Sequence, residues 1–106
     1  MISMKRYAVH RVYISKTQYI TQASLSINTK GEVENYAPFI NETAETEWLG
    51  GIIILSNKIE INNVTDLQTI INYLATAKHG IYAWHISNFD FQSENLTPKS
   101  QIKRLI

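Results

Sequence analysis

The longest unbroken apolar run in this chain is short, at residues 52–55. A helix that crosses a bilayer needs about 20 apolar residues, so no membrane span is expected. The run comes just after Trp48 and the pair Gly50-Gly51. Because Gly inside a strand marks a bend or a bulge, we expect a short buried strand that is entered through a kink at this pair.

Two N-terminal segments alternate polar and apolar side chains with the period of two that is typical of strands. Residues 19–27 follow this alternation, with Ile20 as the exception. In residues 7–15 the same period places Val9 and Val12 on opposite faces. Both segments are therefore predicted to be strands with one buried face.

A hairpin is predicted at residues 28–31, where Gly31 can adopt a positive φ. The strand that follows, at residues 33–39, contains Pro38, which cannot donate to a ladder and so favours the edge of a sheet. Further strands are predicted at residues 48–61, 81–86 and 101–105.

One amphipathic helix is predicted after the central strand. Thr65 and Gln68 form a capping-box pattern at its start, and Gly80 can close its end. Its apolar stripe comprises Leu67, Ile70, Ile71, Leu74 and Ala75. The predicted fold is mainly β (α+β): a small β-sandwich or half-barrel of about six strands with one helix, in a single domain over residues 1–106.

Net charge and the absence of Cys limit the classes of partner that this chain is expected to bind. The formal net charge of +1 gives no bulk attraction to nucleic acid or to a membrane surface. Basic residues gather near both ends of the sequence, which leaves a nucleic-acid module as an alternative, but no RNP-like motif accompanies them. The chain has no Cys, so it has no disulfide or thiolate metal site, which fits a reducing compartment. We expect a cytoplasmic protein with neither nucleic-acid nor membrane partner.

Three side chains are candidates for chemistry. His10 and His85 lie in predicted strands, and Asp90 stands between Phe89 and Phe91. Two His without a carboxylate at ligand spacing are a weak metal signal, so no metal, cofactor or catalytic residue is predicted. The favoured interpretation is that the two His are hydrogen-bonded sheet residues and that Asp90 caps a turn. The alternative is a polar pocket of His10, His85 and Asp90 in a small-molecule binding or hydrolytic protein.

The order of the segments resembles the small β domain of the amidohydrolase superfamily. Residues 7–39 resemble its opening meander, and residues 84–105 resemble the strands that return to it. Trp48, Gly51 and residues 52–54 resemble the strand that leads into the metal-binding barrel of those enzymes. The resemblance implies that the first and last strands are neighbours in one sheet.

The sequence differs from that family at the positions of the metal ligands. Ser56 and Lys58 stand where the superfamily has two His ligands, and the barrel itself is missing. A hydroxyl and an ammonium group cannot replace two imidazoles as metal ligands. The resemblance therefore implies a non-catalytic β domain that acts by self-association, as a homodimer, or by docking on a protein partner. The predicted contact residues are Tyr36, Phe39 and Trp48.

Overall fold

The computed structural model describes residues 5–14, 18–38, 46–57 and 81–105. Within these ranges the chain is mainly β, with seven strands rather than six and no helix. The helix predicted at residues 65–80 lies outside the described residues, as do Phe39 and Lys58. The strands are β1 (Lys5–Tyr13), β2 (Tyr19–Ile27), β3 (Val33–Pro38), β4 (Thr46–Trp48), β5 (Ile52–Ser56), β6 (Tyr82–Ser87) and β7 (Gln101–Arg104).

All seven strands belong to one mixed sheet. Its order is β3-β2-β1-β5-β6-β7, and β4 pairs with β1 beside this path. β1 is antiparallel to β2 but parallel to β4 and β5, while the other neighbours are antiparallel. The edge position predicted from Pro38 is confirmed for β3. The expectation that the first and last strands are neighbours is wrong, because β5 and β6 lie between β1 and β7.

The sheet curls until the start of β3 reaches the start of β6. Glu32 forms an isolated antiparallel bridge with Tyr82, and the Val33 N–H donates to the Ile81 carbonyl oxygen at 2.8 Å. The preceding turn closes as predicted, with Gly31 at a φ of 81°. The curl gives the sheet an enclosed face and an outward face, which differ in composition.

The enclosed face holds the larger of two buried clusters. Val33 and Ile81, where the sheet closes, pack against it, and we call it the inner cluster. Its buried members are Tyr7, Val9, Val12, Ala23, Leu25, Ile27, Ile53, Leu55, Ala83 and Leu105. The second, outer cluster consists of Tyr13, Ile52, Ile54, Trp84, Ile86 and Phe89.

The alternation of β1 reverses near its middle. Val9 and Val12 both pack in the inner cluster, so the prediction that they lie on opposite faces is wrong. The reversal coincides with Gln22 of β2, whose φ is +51°, at the level of His10. β2 changes face at the same place, which is why Ile20, the exception in the sequence pattern, packs against the inner cluster.

The other side of β1 is interrupted at the same level. Trp48 is the partner of Ala8, and Ile52 is the partner of Arg11. The chain between β4 and β5 thus has one residue more than β1 has over the same interval, which is a bulge. Gly51 takes up the bend at a φ of +84°, and a Cβ there would collide with the Ile86 carbonyl oxygen. The kink predicted at Gly50-Gly51 is confirmed.

Candidate functional site: an aromatic row on the outer face

Five side chains form a continuous row on the outer face, and we call it the aromatic row: Trp48, His10, Phe91, Arg11 and Tyr19. The His10 ring lies edge-on to Trp48 at 5.4 Å and to Phe91 at 5.3 Å between centroids. Arg11 Cζ lies 5.2 Å from the Phe91 centroid and 4.4 Å from that of Tyr19. Trp48, Tyr19 and Phe91 are 45%, 42% and 36% exposed. The side chains of the row therefore contact one another and are still accessible to solvent.

The reversal in β1 makes this arrangement. Consecutive residues of a regular strand point to opposite faces of the sheet. Here His10 and Arg11 are consecutive, yet both contact the ring of Phe91. The positive φ of Gln22 on one side and the bulge at Gly51 on the other therefore turn two adjacent β1 side chains towards one surface.

Arg11 is the most constrained member of the row. Its NH1 donates to the Tyr13 hydroxyl at 3.2 Å and to Glu94 Oε1 at 2.9 Å. Burial works against the charged form, but these hydrogen bonds outweigh it and raise the pKa of Arg11 above its ordinary value. The guanidinium is thus a fixed cation between two rings and not a mobile surface charge.

Phe91 reaches the row from a loop with its own internal hydrogen bonds. Asp90 and Asn95 exchange backbone hydrogen bonds of 2.9 and 3.1 Å across the loop. The Asp90 carboxylate accepts from Ser93 Oγ at 2.9 Å and from the Gln92 N–H at 3.0 Å, and these bonds lower the pKa of Asp90. Asp90 therefore caps the turn that presents Phe91, as its favoured interpretation predicted.

The base of the same loop is equally well bonded. The Thr97 and Ser100 hydroxyls both donate to the Asn88 carbonyl oxygen, at 3.1 and 2.9 Å, and the Asn88 amide donates to the Lys99 carbonyl oxygen at 3.1 Å. An open depression lies against this base, lined by Asn88, Phe89, Thr97, Pro98 and Lys99. Its lining is mainly apolar, and polar groups of Asn88, Thr97 and Lys99 are hydrogen-bonded to one another, so it shows no convergent chemistry.

The candidate pocket is distributed over three separate environments. His10 contacts the rings of Trp48 and Phe91 in the aromatic row. His85 lies on β6, with β5 between it and β1, and its Nε2 forms a hydrogen bond with the Gly50 carbonyl oxygen. Asp90 is bonded within its own turn. Among the described residues, these ring contacts and hydrogen bonds lead from the three side chains to different neighbours.

The predicted contact residues also separate. Trp48 is the first member of the aromatic row, whereas Tyr36 lies on β3, where Leu25 of β2 is its partner. β2 and β1 stand between Tyr36 and Trp48 in the sheet. Sequence reasoning did not connect Phe91 and Arg11 with Trp48, because only the double interruption of β1 brings the three together.

Other functional classes receive no support from the described ranges. Ser56 is fully buried at the end of β5. Within the ranges given above, no group of three or more His, Asp or Glu side chains is placed to hold a metal ion. No helix in that part of the chain is long and apolar enough to cross a membrane. Comparison of the chain with protein-family models, curated proteins and solved structures found no match.

Proposed function

We propose that this protein is a non-catalytic interaction domain that docks on a protein partner through the aromatic row, or associates with itself. The observation that carries the proposal is the continuous contact from Trp48 through Phe91 to Tyr19 by way of His10 and Arg11. Trp, Tyr, Phe and Arg are enriched in the centres of protein interfaces and dominate their binding energy. Several partly exposed members of these types in one row are unusual for a surface without a partner.

The way the row is held supports the same proposal. Each ring already packs against a neighbour, so binding would immobilise few side chains that are free in the unbound protein. Arg11 is fixed by Tyr13 and Glu94, and Phe91 stands on the capped loop. A surface that is organised before binding loses less conformational entropy when a partner covers it.

The finer architecture is part of the proposal. We infer a small half-barrel or sandwich that resembles the β domain of amidohydrolases without their barrel. The bulge at Gly51 followed by the buried strand β5 supports the resemblance. The separation of β1 from β7 counts against it, since the family would place those strands side by side. The interaction role does not depend on this ancestry, because it rests on the outer face alone.

A pull-down from native cell extract, with bound proteins identified by mass spectrometry, tests the interaction role. The double variant Trp48→Ala/Phe91→Ala removes two members of the aromatic row. Tyr36→Ala is the matched control, because Tyr36 is 38% exposed but lies outside the row. We expect a stoichiometric partner with the wild type and the control, reduced at least about tenfold in the double variant, as the loss of two aromatic interface residues predicts.

Two outcomes contradict the proposal. Equal recovery by the double variant, with an unchanged circular dichroism spectrum, would show that the row is not the contact. Loss of the partner with Tyr36→Ala alone would move the contact to β3.

A further inference from the structure

The two outermost strands of the sheet carry opposite charges. β3 contains Glu34 and follows Glu32, whereas β7 contains Lys103 and Arg104. Both strands occupy end positions in the strand order, and each has one neighbour along that path. A strand at the edge of a sheet presents backbone N–H and C=O groups that can pair with another strand.

β3 is unusually open. All of its residues from Glu34 to Pro38 are exposed, although an ordinary half-buried strand alternates between exposed and buried side chains. Neither face of this stretch is therefore buried. β3 pairs with β2 along its length. On its other side, contacts with described residues hold only its start, through the bridge from Glu32 to Tyr82 and the hydrogen bond from Val33.

The charges on the two edges are available to a partner. Asn28 Nδ2 donates to Glu34 Oε1 at 2.8 Å and to Glu32 Oε1 at 3.5 Å, which orients both carboxylates. Among the described residues neither carboxylate forms an ion pair. On the other edge Arg104 lies 4.9 Å from the Tyr82 ring centroid, and Lys103 is exposed.

We propose that β7 of one copy of this chain adds to β3 of a second copy, with Lys103 of one opposite Glu34 of the other. Opposite charges facing each other across two strands stabilise their pairing, and like charges in that position oppose it. Pairing of β3 with β3 or of β7 with β7 would bring like charges together. Association is therefore heterologous, head to tail, and builds rings or open chains of copies.

Edge charges and a Pro at a strand end also protect sheets from adding strands. Protection requires only that each edge be charged, and charges of one sign on both edges would repel other copies. This chain instead has acidic residues on one edge and basic residues on the other. Identical edges of two copies therefore repel each other, whereas the acidic edge of one copy attracts the basic edge of another. The aromatic row takes no part in the contact, so this inference is independent of the docking surface.

Sedimentation velocity over a concentration series tests the assembly. Measurements at about 0.01 M and about 1 M salt compare Debye lengths of roughly 30 and 3 Å. We expect the wild type to associate at low salt and to dissociate at high salt. Glu34→Lys and Lys103→Glu should each weaken association about tenfold, because each places like charges opposite one another.

The decisive measurement mixes the two single variants. Lys103 of the Glu34→Lys protein then meets Glu34 of the Lys103→Glu protein, and the reversed residues also meet as a complementary pair. Association of the equimolar mixture should therefore return to about the wild-type level. Gln92→Lys and Gln92→Glu are the controls, since Gln92 is exposed on the loop at residues 91–94 and these variants change net charge away from both edges.

Four results would overturn the inference. They are a wild type that stays monomeric at low salt, single variants that associate as the wild type does, a mixture that stays dissociated, and control variants that weaken association as much as the edge variants. Circular dichroism spectra identical to that of the wild type establish that each variant is folded.

Discussion

The two faces of the curled sheet are built in different ways. The inner face is mainly aliphatic, with Val, Leu and Ile side chains that are almost completely buried. The outer face is rich in aromatic side chains, and its buried cluster grades into a half-exposed row. Packing on the inner face comes from aliphatic side chains that fill the enclosed space. Packing on the outer face is set by a backbone kink that directs a few large side chains to one surface.

The strand β5 connects the two faces. Ile53 and Leu55 pack in the inner cluster, while Ile52 and Ile54 pack in the outer one. All five of its residues are buried, so the continuous apolar run in the sequence marks a strand covered on both sides. A substitution at the entry to β5 should therefore disturb the packing of both faces. We expect it to destabilise the protein more than a substitution on one face.

The largest effect is expected from Gly51→Ala. Its Cβ would meet the Ile86 carbonyl oxygen, and its φ of +84° is unfavourable for any other residue. We expect a loss of about 4 kcal/mol or more in the free energy of unfolding, measured by urea denaturation. Gly50→Ala is the matched control, because nothing lies within 4 Å of a Cβ there and it should cost less than about 1 kcal/mol. Similar losses in the two variants would show that the bulge does not depend on Gly51.

A smaller effect separates the two faces directly. Ile53 is completely buried in the inner cluster, so Ile53→Ala should cost about 2–5 kcal/mol in the free energy of unfolding. Trp48→Ala removes a larger side chain that is 45% exposed, and it should cost about 1 kcal/mol. The same two variants should rank in the opposite order for partner capture. If Trp48→Ala destabilises the protein as much as Ile53→Ala, the row is core and not a binding surface.

The strands could be predicted from the sequence because their signals are local. Alternation, the Gly pair and Pro38 each act within a few residues, and β2 matches its predicted bounds. The reversal of the alternation in β1 could not be predicted from the sequence, because it coincides with a positive φ at Gln22, and Gln is not a residue type that favours a positive φ. The exceptional Ile20 was its one sign in the pattern.

The candidate site was less predictable for the same reason. Trp48 could be proposed as a contact residue from the sequence. Phe91 and Arg11 belong to the same surface only through contacts between segments that are distant in the sequence. Charge patterning could not show that Glu94 would pair with Arg11. For the predicted pocket, the sequence could not show that β5 lies between the strands of His10 and His85, because strand order alone decides that separation.

Arg11→Lys tests how much of the row is held by stacking. Lysine keeps the charge but loses the planar group that lies over Tyr19 and beside Phe91. We expect a loss of about 1 kcal/mol in the free energy of unfolding. Glu94→Gln removes only an ion pair whose carboxylate is 55% exposed, and it should cost less than about 0.5 kcal/mol. If Glu94→Gln costs more, the ion pair and not the stack fixes Arg11.

The smallest effect is expected from Asp90→Asn, and its pH dependence identifies it. Hydrogen bonds from Ser93 and Gln92 lower the pKa of Asp90 in the folded protein, so the ionised carboxylate stabilises the loop at neutral pH. That contribution is lost as the pH falls below roughly 4, the ordinary range for Asp, and on through the lowered pKa. The difference in unfolding free energy between wild type and Asp90→Asn should stay constant above this range and shrink below it. A difference that does not shrink on acidification, or that grows, would mean that the charge of Asp90 does not hold the turn that presents Phe91.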